Sequence, residues 1–218
     1  MGARRGRAVV TGTLLAFAAA SLVLVVVPGP NVVYIVTRGL AQGRAAAVAS
    51  TLGIEAGMLV HIAAAATGLS ALLTRTAVTF TMVKLAGAAY LLVLAVRALR
   101  AEASAPASAP TAARPAGRLF VQGFWVSVLN PKVAVFFLAF LPQFVHPGHG
   151  PVLGQTLVLG GIFLVIATAS DLVYAVVAGT AGVRVARLVR PRPRRRYTEA
   201  AIYAGLGVAV ATTGTSDR

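Results

Sequence analysis

The sequence predicts an all-α membrane protein of about six transmembrane helices, arranged as a three-plus-three inverted repeat with proline-broken helices. Three observations predict it. The chain is 58% apolar and only 11% charged over 218 residues, and its apolar runs recur at the length of about 20 residues that a hydrocarbon core demands. Two of those runs are interrupted, at Pro28-Gly29-Pro30-Asn31 and at Asn130-Pro131-Lys132. The interruptions fall in the first span of each half, and because each half has three spans, the second half enters the membrane from the opposite side.

Span one runs from Ala8 to Val27, and apolar character resumes after the break through Val36. An unbroken helix from Val9 to Val36 would be roughly 42 Å long at 1.5 Å per residue, too long for the bilayer unless broken or strongly tilted. Gln42 to Arg44 form a short polar loop, and span two follows from Ala45 to Leu69 with Glu55 and His61 inside it. Gly53 and Gly57, four residues apart, give it a small-residue face that a neighbouring helix can approach closely. That face would serve a homodimer or a neighbouring span of the same chain.

Span three runs from Thr76 to Val96, carries Lys84 and Tyr90, and is stopped by Arg97 and Arg100. Residues Ala101 to Gly117 form an Ala/Pro/Ser linker too proline-rich to pack, joining halves 8–100 and 118–214 of a single transporter domain. Span four, Leu119 to Leu141, ends at Pro142-Gln143-Phe144; span five runs from Val152 to Ala178 with Asp171 inside; span six, Tyr197 to Thr213, is the shortest.

The net charge of +15 comes from arginines scattered through interspan loops, a pattern of topology and not of nucleic-acid binding. Loops one, three and five hold two, four and seven Lys or Arg residues, and the other side holds five. Those three loops are therefore expected on the cytoplasmic side, with both termini outside and Arg4, Arg5 and Arg7 as dissenting charges. The same N-terminal arginines, followed by Ala18-Ala19-Ala20, resemble a signal peptide, but the apolar run continues to Val27 as a retained span does.

Without cysteine the chain has no disulfide, thiolate metal site or thiol relay. His146 and His149 lie in a Pro/Gly loop with no acidic companions, so no metal is expected, and no nucleophile with a base points to an enzyme. No cofactor is implied.

The breaks carry the chemistry. Pro28 and Pro30 have no N–H, so the carbonyls of Leu24 and Val26 lose their helical donors, while a helix starting near Pro30 leaves the amides of Asn31, Val32 and Val33 unpaired. Freed carbonyls suit an ammonium and a helix N-terminus suits a carboxylate, the two needs of an amino-acid zwitterion. A simple kink accounts for the same spacing. At the second break Asn130 is a good N-cap, Pro131 suits the first helical position, and Lys132 brings a positive charge to the positive end of a half-helix. A charge at the bilayer centre costs about 2.5–3.5 kcal/mol on insertion scales, so something anionic should compensate it. Glu55 and Asp171 are the acids inside spans, and either would pair with Lys132 or Lys84, or carry a proton. His61 reads as a hydrogen-bonded packing residue before a proton relay.

These residues stand in recognisable company: PGPNVVYIVTRGLAQGRAAAVASTLGIEAGMLVHIAAAATGLSALL, then KLAGAAYLLVLAVRALR, then GFWVSVLNPKVAVFFLAFLPQFV. Together they resemble the LysE/RhtB family of amino-acid exporters over most of Val27 to Val145, and RYTEAAIYAGLGVAVA resembles that family's last segment more weakly. The resemblance implies a six-segment, multi-pass protein of the bacterial inner (plasma) membrane that exports amino acids or close derivatives, driven by the proton gradient. It marks Pro28, Gly29, Pro30, Asn130, Pro131 and Lys132, and adds Gly43, Gly53, Lys84, Gly87 and Tyr90. Many relatives carry an acid at the place of Met58, whereas here Glu55 lies one turn earlier.

The expectation is a secondary exporter of amino-acid-like solutes by proton antiport. Its substrate site comprises Pro28, Gly29, Pro30, Asn31, Asn130, Pro131 and Lys132, and Glu55 and Asp171 are the proton-coupling candidates. Its partners are the solute, the proton and the lipid bilayer. The alternative is a passive channel or facilitator for small polar solutes.

Overall fold

The computed structural model describes residues 2–73, 77–100, 114–181 and 193–212, and every regular element among them is helical. Helix α1 (Gly2–Val26) and α2 (Pro30–Gln42) meet at a 48° bend across the Pro-Gly-Pro break. Helix α3 (Arg44–Leu73) follows after Gly43, whose φ of +82° is the left-handed conformation that glycine adopts freely. After α4 (Ala77–Arg100), the second half opens with α5 (Ala116–Val128) and a short α6 (Pro131–Val135). A π-helical turn (Phe136–Phe140) and 3-10 turns at Leu141–Phe144 and Pro147–His149 continue the chain. The segments on either side of Leu129 and Asn130 are bent by 44°. Helices α7 (Val152–Ala181) and α8 (Pro193–Thr212) complete the described chain.

The two bent pairs and the single helices Arg44–Gly68 and Val152–Thr180 are long and apolar enough to cross a membrane. With α4 and α8, which pack against each other, they are consistent with six spans. The expected proline-broken helices are thus present, and the first break falls where a 28-residue helix would have overrun the bilayer. Arg114 and Pro115 precede α5, which starts at Ala116, so the helix begins two residues before the expected end of the linker. Linker residues 101–113 and loop-five residues 182–192 lie outside the described residues. On α4, the expected family positions Lys84, Gly87 and Tyr90 also lie outside the described side chains.

The heaviest packing crosses between the halves: α3 against α5 and α7, α4 against α8, and α2 against α7. Small residues make the α3–α5 contact possible. A Cβ on Gly53 would strike the Phe120 carbonyl, one on Gly57 would lie 2.8 Å from Ser127 Cβ, and one on Gly123 would strike the Ser50 carbonyl. The Gly53/Gly57 face therefore seats a span of its own chain.

Loop ends sort to two faces. The Arg114 amide donates to Gln42 Oε1 at 2.7 Å, and Gly179 abuts the Arg44 backbone, so the starts or ends of loops one, three and five share one face. Thr13, His146, His149 and Gln155 come together at the other end. This is the face that the positive-inside bias predicts to be cytoplasmic.

Candidate functional site

The two breaks meet inside the protein. Gly29 is the N-cap of α2 and Pro30 its first residue; the Val33 amide already donates to the Gly29 carbonyl at 3.0 Å. Two amides of the first turn, those of Asn31 and Val32, are thus left at the helix start instead of the three expected. At the second break Asn130 caps α6 as expected: its Oδ1 accepts from the Lys132 amide at 3.0 Å. The cap therefore takes up the Lys132 amide, leaving the side chain as what Lys132 can offer a ligand.

Amide orientation across the breaks follows by necessity. The Lys132 N–H can only donate, so Asn130 presents Oδ1 to it and its Nδ2 to Asn31, whose Oδ1 accepts at 2.8 Å. That leaves the donor end of Asn31 beside the first turn of α2. Both asparagines are buried.

Two of the freed carbonyls, those of Val26 and Ser127, are met by side chains from the opposite half. Val26, whose helical donor would have been Pro30, accepts from the Tyr174 hydroxyl on α7 at 3.1 Å. The Ser127 carbonyl, whose donor would have been Pro131, accepts from the Asn130 amide at 2.9 Å and from His61 Nε2 on α3 at 3.0 Å. A carbonyl only accepts, so His61 carries its hydrogen on Nε2. The ring also stacks on Phe137 at 6.2 Å. His61 is placed as the hydrogen-bonded packing residue the sequence suggested.

Lys132 Nζ donates to the Val27 carbonyl at 2.6 Å. The ammonium that answers the first break is the protein's own. Its stem lies over Gly29, where an added Cβ would be 3.2 Å from Lys132 Cδ. The backbone of Gly29, at φ −109°, is open to any residue, so glycine serves here as clearance for the lysine. Lys132 is 7% exposed and Asp171 4%, and both line the same cavity. Glu55 faces Asp171 and Thr168 from α3, and its carboxylate is buried.

Around these groups is a cavity of about 40 Å³ whose polar lining includes Asn31, Asn130, Lys132 and Asp171 and whose apolar lining includes Met58 and Phe163. Met58, and not Glu55, stands at the wall, so the one-turn shift places the acid behind the cavity. A water needs about 10–15 Å³ measured this way, so the space suits a few waters and the walls must part for an amino acid.

A polytopic helical protein with two broken helices meeting at a cavity that Asn31, Asn130, Lys132 and Asp171 help to line has the architecture of a membrane transporter. The comparisons place it further: a profile for the LysE type translocator matches residues 22–214, and the chain belongs to that family. It is 34% identical to a homoserine/homoserine lactone efflux protein of Salmonella typhimurium over 69% of this chain and 73% of that protein. It is 29% identical to an uncharacterized membrane protein of Vibrio cholerae over 91% and 96% of the two chains. A leucine efflux protein of Salmonella choleraesuis is 29% identical over 57% of this chain and 59% of its own. No solved structure matches the chain.

Proposed function

We propose that the protein exports amino acids or close derivatives from the cytoplasm across the bacterial plasma membrane by proton antiport. The observation that carries this reading is the bond from Lys132 Nζ to the Val27 carbonyl, with Asp171 beside it. An ammonium already sits on the acceptor that an amino acid's ammonium would use. An entering zwitterion displaces Lys132 from Val27 and offers its own carboxylate in return. Lys132, the amides of Asn31 and Val32 and the donor end of Asn31 then hold that carboxylate. Each charge exchanges one partner for another of the same sign, so neither is left bare at membrane depth.

Asp171 lines the cavity and is the group placed to exchange a proton with the solute's departure, with Glu55 behind it. The apolar part of the wall, Leu24, Val25, Met58 and Phe163, suits uncharged side chains, in keeping with relatives named for homoserine and leucine efflux.

The test is counterflow and pH-driven movement of labelled homoserine, leucine and lysine in proteoliposomes. Uphill movement of a subset, collapsed by a protonophore, is expected. Downhill movement indifferent to the pH gradient would replace antiport by passive facilitation, and no movement of any amino acid in folded protein would overturn the substrate class.

A further inference from the structure

A second and larger cavity, of about 150 Å³, opens at the end opposite the basic face and is lined by Thr13 and Leu14 of α1, Phe144, His146, His149 and Gln155 among others. Its walls are held in place. Gln155 accepts from the His146 amide at 3.0 Å and donates to the His146 and Gly150 carbonyls at 2.9 and 3.0 Å, fixing the loop before α7. The two histidine rings lie 5.4 Å apart. Among the residues lining it there is hydrogen-bonding capacity but no Lys, Arg, Asp or Glu.

Between this pocket and the inner cavity runs an uninterrupted stack of rings. Phe144, in the outer wall, meets Phe17 at 5.2 Å; Phe17 meets Phe136 at 5.7 Å; and Phe136 meets Phe163, in the inner wall, at 4.7 Å. Phe140 bridges Phe136 and Phe144 at 5.0 Å from each. Phe17, Phe136 and Phe163 are at most 1% exposed. Such a plug is dry and bars a polar solute.

The rings ride on an irregular element. Phe136–Phe140 form a π-helical turn and Leu141–Phe144 a 3-10 turn, directly continuing the half-helix that holds Asn130 and Lys132. A π turn holds one residue more per turn than the α-helix, so its conversion to α rotates everything downstream, and π turns concentrate at functional places. The segment that ends in the gate therefore begins at the substrate site.

We propose that Phe17, Phe136, Phe140 and Phe144 form the extracytoplasmic gate of the export route, and that the pocket under His146 and His149 is its exit vestibule for the amino-acid-like solute. The identity of the solute rests on the exporter function above; the gate does not. The vestibule binds weakly by construction: its lining has hydrogen-bonding groups but no Lys, Arg, Asp or Glu, where the inner site offers Lys132 and Asp171, so a zwitterion that passes the rings is released.

The natural absence of cysteine makes the gate testable without a transported solute. Thr13→Cys in the vestibule and Ala167→Cys in the inner cavity are exposed in turn to a membrane-impermeant charged methanethiosulfonate added outside right-side-out vesicles. Thr13→Cys should label quickly, and Ala167→Cys at least about tenfold more slowly, as when the open state is populated at about 10% or less. Adding Phe17→Ala, or separately Phe144→Ala, should bring the Ala167→Cys rate close to that of Thr13→Cys. Labelling in denaturant confirms the thiol is present, and gel filtration confirms fold for each variant. Rapid labelling of Ala167→Cys with the rings intact, or continued protection in both folded ring variants, overturns the gate. A gate that opens as expected in protein that moves no amino acid would leave this inference standing and remove the exporter function.

Discussion

Lys132 and Val27, 105 residues apart in sequence, are joined by a 2.6 Å hydrogen bond from ammonium to carbonyl. The bond ties the second broken helix to the end of the first and occupies the Val27 carbonyl, left open where α1 ends; the carbonyl that Pro30 frees, Val26, is taken by Tyr174. Under the proposed function, replacing Lys132 with Ala removes the carboxylate's counter-charge and frees the Val27 carbonyl. Counterflow by Lys132→Ala at matched protein levels should fall at least about tenfold, the effect of losing 1.4 kcal/mol or more of binding. Near-normal counterflow would remove Lys132 from the binding site.

Asp171 lines the cavity and Glu55 stands behind it. The isosteric neutral change Asp171→Asn keeps volume and hydrogen-bonding capacity but cannot bind and release a proton. It should abolish movement driven by a pH gradient while retaining measurable exchange of labelled for unlabelled solute. Undiminished pH-driven movement in Asp171→Asn would shift the coupling role to Glu55, where Glu55→Gln provides the same measurement.

His61 spans from α3 to the carbonyl that Pro131 frees. As a structural donor it should be replaceable by another donor: His61→Gln is expected to keep both transport and its pH profile. His61→Ala loses a hydrogen bond worth about 0.5–1.5 kcal/mol and the ring packed on Phe137, which lowers the thermal midpoint in detergent. A changed pH profile in folded His61→Gln would make it a proton carrier.

Much of this site is written locally. Pro28 and Pro30 announce a break, Asn130-Pro131 announces a cap and a helix start, and the structure has each of them within a residue of its expected place. What local sequence does not contain is which group answers which. Tyr174 reads as one more residue of an apolar span, yet it reaches the Val26 carbonyl; Lys132 reads as a carboxylate binder, yet it holds Val27. Those pairings join elements a hundred or more residues apart and follow from how the halves interlock. The phenylalanines from Phe136 to Phe144 look like ordinary lipid-facing or core residues in sequence, because periodicity carries no trace of the π turn that aligns them with Phe17 and Phe163.

The glycine face offers a stability test with an internal control. Gly53 and Gly57 lie against the α5 backbone at distances that no Cβ tolerates, and backbone cannot step aside as a side-chain tip can. Gly53→Ala and Gly57→Ala should destabilise by about 1–3 kcal/mol or more by overpacking, seen as a lowered melting temperature in detergent. Gly161→Ala on α7, with nothing within 4 Å of its added Cβ, should melt like the parent. Equal melting of all three would place the α3–α5 contact elsewhere.

Gln122 links α2 and α5 at the basic face. Its single Oε1 is approached by Tyr34 Oη at 3.2 Å, Arg114 at 3.0 Å and Arg38 at 3.5 Å, joining α2 to α5 on the basic face. The Arg38 guanidinium also lies 5.2 Å from the Tyr34 ring centre. Gln122→Ala takes the acceptor from Arg38 and Arg114 at once and leaves two guanidiniums facing each other, while Tyr34 Oη keeps the Leu119 carbonyl at 3.2 Å as its acceptor. If the inner cavity opens to the cytoplasm by parting α2 from α5, that change shifts the resting population toward the inward-open state. Ala167→Cys should then label faster from the cytoplasmic side of inside-out vesicles in the Gln122→Ala background, with no change from the outside, where the phenylalanine stack is intact. Faster labelling from both sides would mean general loosening of the bundle, and unchanged labelling from the cytoplasm would place the inner gate on other residues.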